Sequence, residues 1–213
     1  MQSKLVGLTF AALLASNASA WIVNGNFETP AYGNGGFTDG LPGWTKAGEA
    51  GHWNIFPGYG FFNAEAPEGT QIFYGNGTSI AQQTAAELLV GTSTLSVLAA
   101  RRADSFAGSF RMELYAGGTV ESGNVTGGVL LKAINFDHTS IAPSSFVPLT
   151  LEYTADATDA NLGKLLSVRF FKTTGVQMNF DKVQLNPVPE PGTMIALAAG
   201  LGLLARRRRA TQS

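Results

Sequence analysis

The sequence predicts an all-β protein whose body is a single jelly-roll β-sandwich, and three observations lead to that class. Apolar and polar residues alternate with a period of two over much of the chain, as in half-buried strands. Glycine is abundant, with 26 in 213 residues, and much of it lies in short turn-rich stretches between the alternating runs. The length suits one ordinary domain. Together these features predict about eight to ten strands.

The alternating runs can be placed in chain order at residues 95–99, 110–114, 147–153, 166–170 and 176–185. In the last run, Met178 and Phe180 hold one phase, and Val183 and Leu185 hold the opposite one. Such a change of phase predicts a β-bulge at residues 181–182. The only stretch of the body that could be helical is residues 81–89.

Residues 1–20 have the three parts of a secretory signal peptide, in order. Lys4 gives a positive start, residues 5–15 are apolar, and small residues end the segment at Ala20. The predicted cleavage lies between Ala20 and Trp21. A buried N-terminal helix or a retained anchor is the alternative.

The C-terminus also has three parts, which begin with Pro189, Glu190, Pro191 and Gly192. An apolar run of 13 residues follows at 193–205 and would be about 20 Å long as a helix, against a bilayer core of about 30 Å. Length alone therefore favours a short buried or interfacial helix. The run ends in a cluster of four arginines, Arg206, Arg207, Arg208 and Arg209. Such a cluster is typical of a cytoplasmic flank, and snorkelling arginines with a thinned bilayer let a short helix span. The sequence thus predicts a C-terminal transmembrane helix, as well as the N-terminal signal helix.

This C-terminal pattern, residues 188–213, resembles the PEP-CTERM sorting signal of Gram-negative bacteria. The resemblance implies recognition by an exosortase, an integral-membrane cysteine protease-transpeptidase, with cleavage at or near residues 189–191. The four arginines would be the cytoplasmic stop. The resemblance further implies export, a transient anchor in the inner membrane, and a mature form at the cell surface or outside the cell. Such proteins are typically associated with exopolysaccharide, biofilm or floc matrix.

The body between the two signals, residues 21–187, is mildly acidic. It carries nine Lys and Arg against 14 Asp and Glu, a net charge of about −5. This balance argues against a nucleic-acid partner. The chain has no cysteine, which excludes disulfides, thiolate metal sites and cysteine nucleophiles.

Short motifs of the body resemble galactose-binding-like jelly rolls, which are common in bacterial carbohydrate-binding modules. They are residues 23–28 (VNGNFE), 42–44 (PGW), 78–83 (TSIAQQ) and 179–185 (NFDKVQL). The resemblance implies a structural calcium ion that ties the first strand to the last, with Glu28 and Asp181 in the matching positions. Calcium prefers six to eight oxygen ligands, so loop carbonyls would have to complete the set. Alternatively, the two carboxylates accept hydrogen bonds from a turn and from a bulge, with no metal.

Aromatic residues crowd into residues 53–62, among glycines and a proline. Trp53, Phe56 and Tyr59 are the candidate ligand-binding residues, because aromatic faces stack on sugar rings and loops on a rigid sandwich often carry binding sites. The alternative is that these side chains close one end of the core.

The sequence favours a protein that is not an enzyme. His52 and His138 are not part of a recognisable nucleophile motif. The competing hypothesis is a secreted polysaccharide-active enzyme of the glycosidase type, in which two carboxylates meet in space. The candidate acids for that hypothesis are Glu65, Glu68, Asp104, Glu113 and Asp137.

Overall fold

A computed structural model describes residues 21–58 and 60–189. The predicted signal peptide with Ala20, the aromatic residue Tyr59, and the segment that begins at Glu190 lie outside the described residues. Both predicted terminal helices and the arginine cluster belong to these outside parts. Within the described residues, no helix is long and apolar enough to cross a membrane.

The described chain contains thirteen strands and one short 3-10 turn at His138–Ser140. The strands are β1 (Phe37–Thr38), β2 (Thr45–Ala47), β3 (Ala50–Asn54), β4 (Gln71–Gly75), β5 (Ser79–Glu87), β6 (Gly91–Arg101), β7 (Gly108–Ala116), β8 (Thr119–Glu121), β9 (Asn124–Thr126), β10 (Val129–Phe136), β11 (Ser145–Ala155), β12 (Leu165–Gly175) and β13 (Met178–Pro189).

Two antiparallel sheets form the sandwich. One has six strands in the order β1-β3-β4-β13-β6-β11, and the other has five in the order β10-β7-β12-β5-β2. The hairpin β8-β9 is a separate two-stranded ribbon that lies against β2 and β5. The sandwich predicted from the period-two pattern is therefore confirmed.

Alternation along each strand sends one set of apolar side chains into the space between the sheets. The predicted apolar positions of β6, β7, β12 and β13 are almost completely buried there. Phenylalanine rings fill the centre: the ring of Phe180 stacks on Phe73 and on Phe170, with centroid distances of 4.3 and 4.4 Å. Trp44 also belongs to this core.

The structure has no helix at residues 81–89 and has thirteen strands in its described part, more than the eight to ten expected, but it has the expected bulge. Residues 81–89 are not helical, because most of them form β5, whose Gln82 side chain bonds the backbone of Val23 and Gly43. The very short strands β1, β2, β8 and β9 carry too few residues to show a period. The predicted bulge is confirmed, since the register of β13 against β6 shifts between Asp181 and Gln184.

Candidate functional site

The outer face of the six-stranded sheet carries a second, smaller apolar cluster. Along β4, Phe73 points into the main core, while Ile72 and Tyr74 point to the outer face, as alternation requires. Trp53 of β3 and Phe62 of the following loop pack on this outer face. The loop, residues 55–70, thus covers part of the sheet and leaves a cleft at its border.

The cleft has a volume of about 190 Å³ and combines aromatic with polar walls. Its lining residues are Phe37, Glu49, Trp53, Phe61, Tyr74, Asn76, Arg102 and Gln177. Phe37 and Phe61 are exposed at the rim, whereas Trp53 and Tyr74 are almost buried. A volume of this size suits one ring of a ligand, and exposed aromatic faces around a concave site favour stacking on it.

Arg102 is the centre of the polar wall. Its guanidinium lies 4.7 Å from the ring centroid of Phe61 and 5.4 Å from that of Trp53, within the range of cation–π attraction. It also donates to both carboxylate oxygens of Asp104, at 3.0 and 2.7 Å. Because the side chain is largely buried and its charge is paired, these contacts hold the guanidinium plane in one orientation.

Amide side chains extend the polar wall from Arg102. Gln177 accepts from Arg102 Nη1 at 2.6 Å and donates to Asn76 Oδ1 at 2.9 Å. Behind it, Asn179 donates to Gln177 Oε1 at 3.1 Å, while Asn179 Oδ1 is buried and makes no hydrogen bond. This chain of amides supplies donors and acceptors in fixed positions, which suits hydroxyl groups of a ligand.

The described lining of the same cleft has few side chains that could transfer a proton. Among its described lining residues, the one carboxylate is Glu49, which is exposed to solvent. Burial, together with a hydrogen bond to Asp39, raises the pKa of the Tyr74 hydroxyl, which therefore remains a donor. A general acid of the carboxylic type needs a carboxyl group in an apolar pocket. Asn179, which is buried behind this cleft, carries an amide, and an amide does not titrate at neutral pH.

The sequence identified the cleft only in part. Trp53 lines it, Phe56 lies half-buried outside its lining, and Tyr59 lies outside the described residues. The sequence did not identify Arg102, which follows β6, or Gln177, which precedes β13. The alternation around Phe73 was the available signal for Tyr74, because it places that side chain on the outer face.

The two predicted calcium ligands both accept hydrogen bonds from the backbone at the C-terminal end of the covering loop, residues 55–70. Glu28 Oε1 accepts from the backbone N–H groups of Thr70 and Gln71, at 2.8 and 2.7 Å. Asp181 Oδ2 accepts from Glu68 N at 3.1 Å, and its Oδ1 accepts from Lys182 N at 2.6 Å. These bonds are the metal-free alternative that the sequence left open. The described residues contain no group of three or more acidic or histidine side chains arranged to hold a metal.

Asp181 is nevertheless unusual, because its carboxyl group is completely buried. Burial raises its pKa to about 8, and the nearby charges of Glu68 and Glu28 add to the rise. The carboxyl groups of Glu28 and Asp181 therefore lie near each other, and none of the ion pairs in the described part of the chain involves Asp181. Hard oxygen donors of this kind fit calcium.

Of the five candidate acids for glycoside hydrolysis, three are held by neighbouring groups, Glu65 is exposed, and Glu68 lies 3.9 Å from Lys182. Glu113 is buried on the five-stranded sheet between Arg111 and Arg169, at 2.9 and 3.1 Å. Asp104 binds Arg102, and Asp137 caps the 3-10 turn by accepting from Thr139 N.

Comparison with known families gives two matches that divide the chain near the end of β13. The HpiC1-like family, described as HpiC1 cyclase, matches residues 18–186. The PEP-CTERM protein-sorting motif matches residues 187–209, which confirms the resemblance drawn from the C-terminal pattern. No curated protein matches the sequence of this chain.

Several solved structures have a similar fold. A cyclase from Fischerella sp. TAU in complex with 4-(1H-indol-3-yl)butan-2-one has a TM-score of 0.66 and 24% identity, covering 81% of this chain and 98% of its own. An apo cyclase from Fischerella sp. has a TM-score of 0.64 and 23% identity, with coverages of 78% and 95%. A family 22 carbohydrate-binding module of Clostridium thermocellum Xyn10B has a TM-score of 0.47 and 13% identity, with coverages of 80% and 96%. The two cyclases show a shared β-sandwich fold, and the third score is too low to support a conclusion.

Proposed function

The chain belongs to the HpiC1-like family, and we propose that it is an exported, exosortase-sorted surface protein that binds carbohydrate without transforming it. The sorting part rests on the PEP-CTERM motif at residues 187–209. In this proposal the chain is anchored briefly in the inner membrane, cleaved near residues 189–191, and released to the cell surface or the extracellular matrix of a biofilm.

The cleft supports the binding part of the proposal. Exposed rings of Phe37 and Phe61 offer stacking faces, and Asn76 and Gln177 offer donors and acceptors beside them. Sugar rings present an apolar face with hydroxyl groups at the edge, so the two kinds of wall match the two parts of a sugar. The observation that carries the proposal is this pairing of aromatic rings with an ordered amide network in one cleft.

The same geometry supports binding rather than catalysis. The described lining of the cleft has the buried polar side chains of Arg102 and Gln177, and its carboxylate is the exposed Glu49. Acid-catalysed reactions of sugars need a carboxyl group with a raised pKa next to the reacting bond. The buried acid with that property, Asp181, accepts two backbone hydrogen bonds beneath the covering loop and is not part of the cleft lining.

A glycan array with residues 21–189, beside a reducing-sugar release assay on the same glycans, tests the proposal. Binding without release is the expected result, and release would show a polysaccharide-active enzyme instead. Phe37→Ala should weaken binding, since Phe37 is 66% exposed at the rim. Tyr32→Ala is the matched control, because Tyr32 is also exposed but lies outside the cleft lining. Equal effects of the two variants would place the ligand elsewhere.

Family membership favours a second candidate function, cyclisation of a small aromatic substrate. Under this alternative the cleft would take an indole-like ring between its aromatic walls. Incubation with 4-(1H-indol-3-yl)butan-2-one and mass analysis of the mixture separates binding from conversion. Conversion of this ketone to a new compound would support the cyclase function.

We also propose that calcium binds between Glu28 and Asp181. The ion would displace the proton from the buried Asp181 carboxyl group and tie the segment before β1 to β13 and to the covering loop, without taking part in any reaction. The expected result is a rise in melting temperature with calcium at pH 7 that Asp181→Asn abolishes and Asp156→Asn, in an exposed loop, retains. A melting temperature that responds neither to calcium nor to chelator would contradict the metal site.

A further inference from the structure

We propose that one end of the sandwich is a membrane-facing surface while the protein is anchored, and that it rests on the bilayer through exposed aliphatic side chains. The inference rests on the proposed sorting function, because it needs the C-terminal anchor. It concerns the end at which β13 finishes, opposite to the end that carries the cleft.

The connection between the body and the sorting signal is very short. β13 continues through Pro187 to Pro189, paired with Ser93 to Gly91 of β6, so the strand includes the first three residues of the matched motif. The apolar run predicted from the sequence begins at residue 193. Four Cα steps span at most about 14 Å, so the end of β13 must lie within that distance of the start of the run.

The same end of the sandwich concentrates exposed aliphatic residues. β5 ends and β6 begins around Leu89, while β12 begins at Leu165 and β10 at Val129 and Leu130. All four side chains are between 38% and 45% exposed. The register places them together, because Val129 and Leu166 both pair with Ala116, and Leu165 pairs with Glu87.

Two backbone hydrogen bonds connect neighbouring loops at this end of the sandwich. Leu88 N donates to Lys164 O, and Gly163 N donates to Leu88 O, each at 2.9 Å, which joins the β5-β6 turn to the loop before β12. Charges at this end have both signs, with Glu87, Asp156 and Lys164 exposed. Apolar contact, rather than net charge, is therefore the attraction that this end offers to an interface.

The resulting orientation presents the cleft outwards. Arg102 follows the far end of β6, eleven residues after Gly91, and Gln177 precedes β13 at that same far end. A strand of this length measures about 33 Å, so the cleft would stand that far from the bilayer surface. A ligand in the extracellular space could then reach the cleft before the exosortase releases the protein.

The absence of cysteine from the sequence permits a direct test with the full precursor, residues 21–213, in lipid vesicles. A single environment-sensitive fluorophore is attached through Leu89→Cys, Leu130→Cys or, at the opposite end, Val176→Cys. Val176 is the matched control, since it is 42% exposed and Leu89 is 43% exposed. Circular dichroism confirms that each labelled variant is folded, and the quencher is a nitroxide on the lipid headgroup.

Labels at positions 89 and 130 are expected to be quenched at least about twofold more than the label at position 176, which lies beyond the reach of a headgroup nitroxide. Equal quenching at both ends would overturn the inference. A label at position 89 that is shielded from water but not quenched by lipid would also overturn it, and would assign this end to a second copy of the chain. Failure of the precursor to float with the vesicles would instead show that the anchor itself is absent, which removes the proposed sorting step and the inference with it.

Discussion

The hydrogen bonds from Thr70 N and Gln71 N to Glu28, which hold the end of the covering loop (residues 55–70), are predicted to depend on Gly69. This glycine has φ +69°, and a Cβ added to it would collide with the Glu28 carboxyl group. Alanine at positive φ costs about 1–2 kcal/mol. Displacement of Glu28 also breaks its bonds to Thr70 N and Gln71 N, which are charge-assisted but partly exposed and together contribute about 3 kcal/mol. Gly69→Ala should therefore lower the free energy of unfolding by about 4–5 kcal/mol.

Gly163→Ala is the matched control for this prediction. Gly163 has φ +77°, and an added Cβ would meet no atom within 4 Å, so only the strain remains, about 1–2 kcal/mol. Urea unfolding of residues 21–189, followed by circular dichroism, measures both variants. A double-mutant cycle with Glu28→Ala should show that the Gly69 effect shrinks to that of Gly163 once the carboxylate is gone. Equal losses of unfolding free energy for the two glycine variants in the parent protein would show that the Glu28 hydrogen bonds do not stabilise the loop.

Three other predictions concern the buried acid, the small core and the sorting signal. In metal-free protein, burial raises the pKa of folded Asp181 to about 8, against about 4 in the unfolded chain. The contribution of Asp181 to stability is therefore present below pH 4 and is lost as the pH rises towards 8. Between pH 5 and 7, the loss lowers the free energy of unfolding by up to about 3 kcal/mol. Asp181→Asn should remove that slope in urea titrations, and parallel slopes would contradict the assignment. Trp53→Ala should destabilise the body by about 3–5 kcal/mol, because Trp53 is 5% exposed, and a loss below about 1 kcal/mol would show that the outer cluster is not a packed core. Mass spectrometry of the mature protein should show no residues 206–209, and an intact arginine tail outside the cell would contradict exosortase processing.

The sandwich could be predicted because its strands are long and half-buried. Strands such as β6 and β12 have one face in the core, so their apolar residues recur at every second position, and the bulge at Asp181 appears as a change of that phase. By contrast, most residues of β5 are small or carry amides, so its sequence has no strong period-two pattern and does not predict a strand. Gln82 holds β5 in place through tertiary hydrogen bonds that no local pattern reveals.

The cleft was less predictable than the fold for a topological reason. Trp53 was identified because it lies in a dense aromatic segment, but Arg102, Asn76 and Gln177 are distant in sequence and meet only because β4, β6 and β13 are neighbours in one sheet. Glu28 and Asp181 were paired through a family resemblance. In the structure, Glu28 and Asp181 both accept hydrogen bonds from the backbone of residues 68–71. These residues end the loop that carries Phe61 into the cleft.

The most direct test of the central claim is a titration of ¹⁵N-labelled residues 21–189 with neutral hexasaccharides such as cellohexaose and xylohexaose. We expect saturable shifts of the Trp53 indole N–H and of Arg102 and Gln177 side-chain signals, with every oligosaccharide recovered at its original mass. Shifts confined to other surfaces, or a ligand recovered as a new product, would contradict a binding cleft without catalysis.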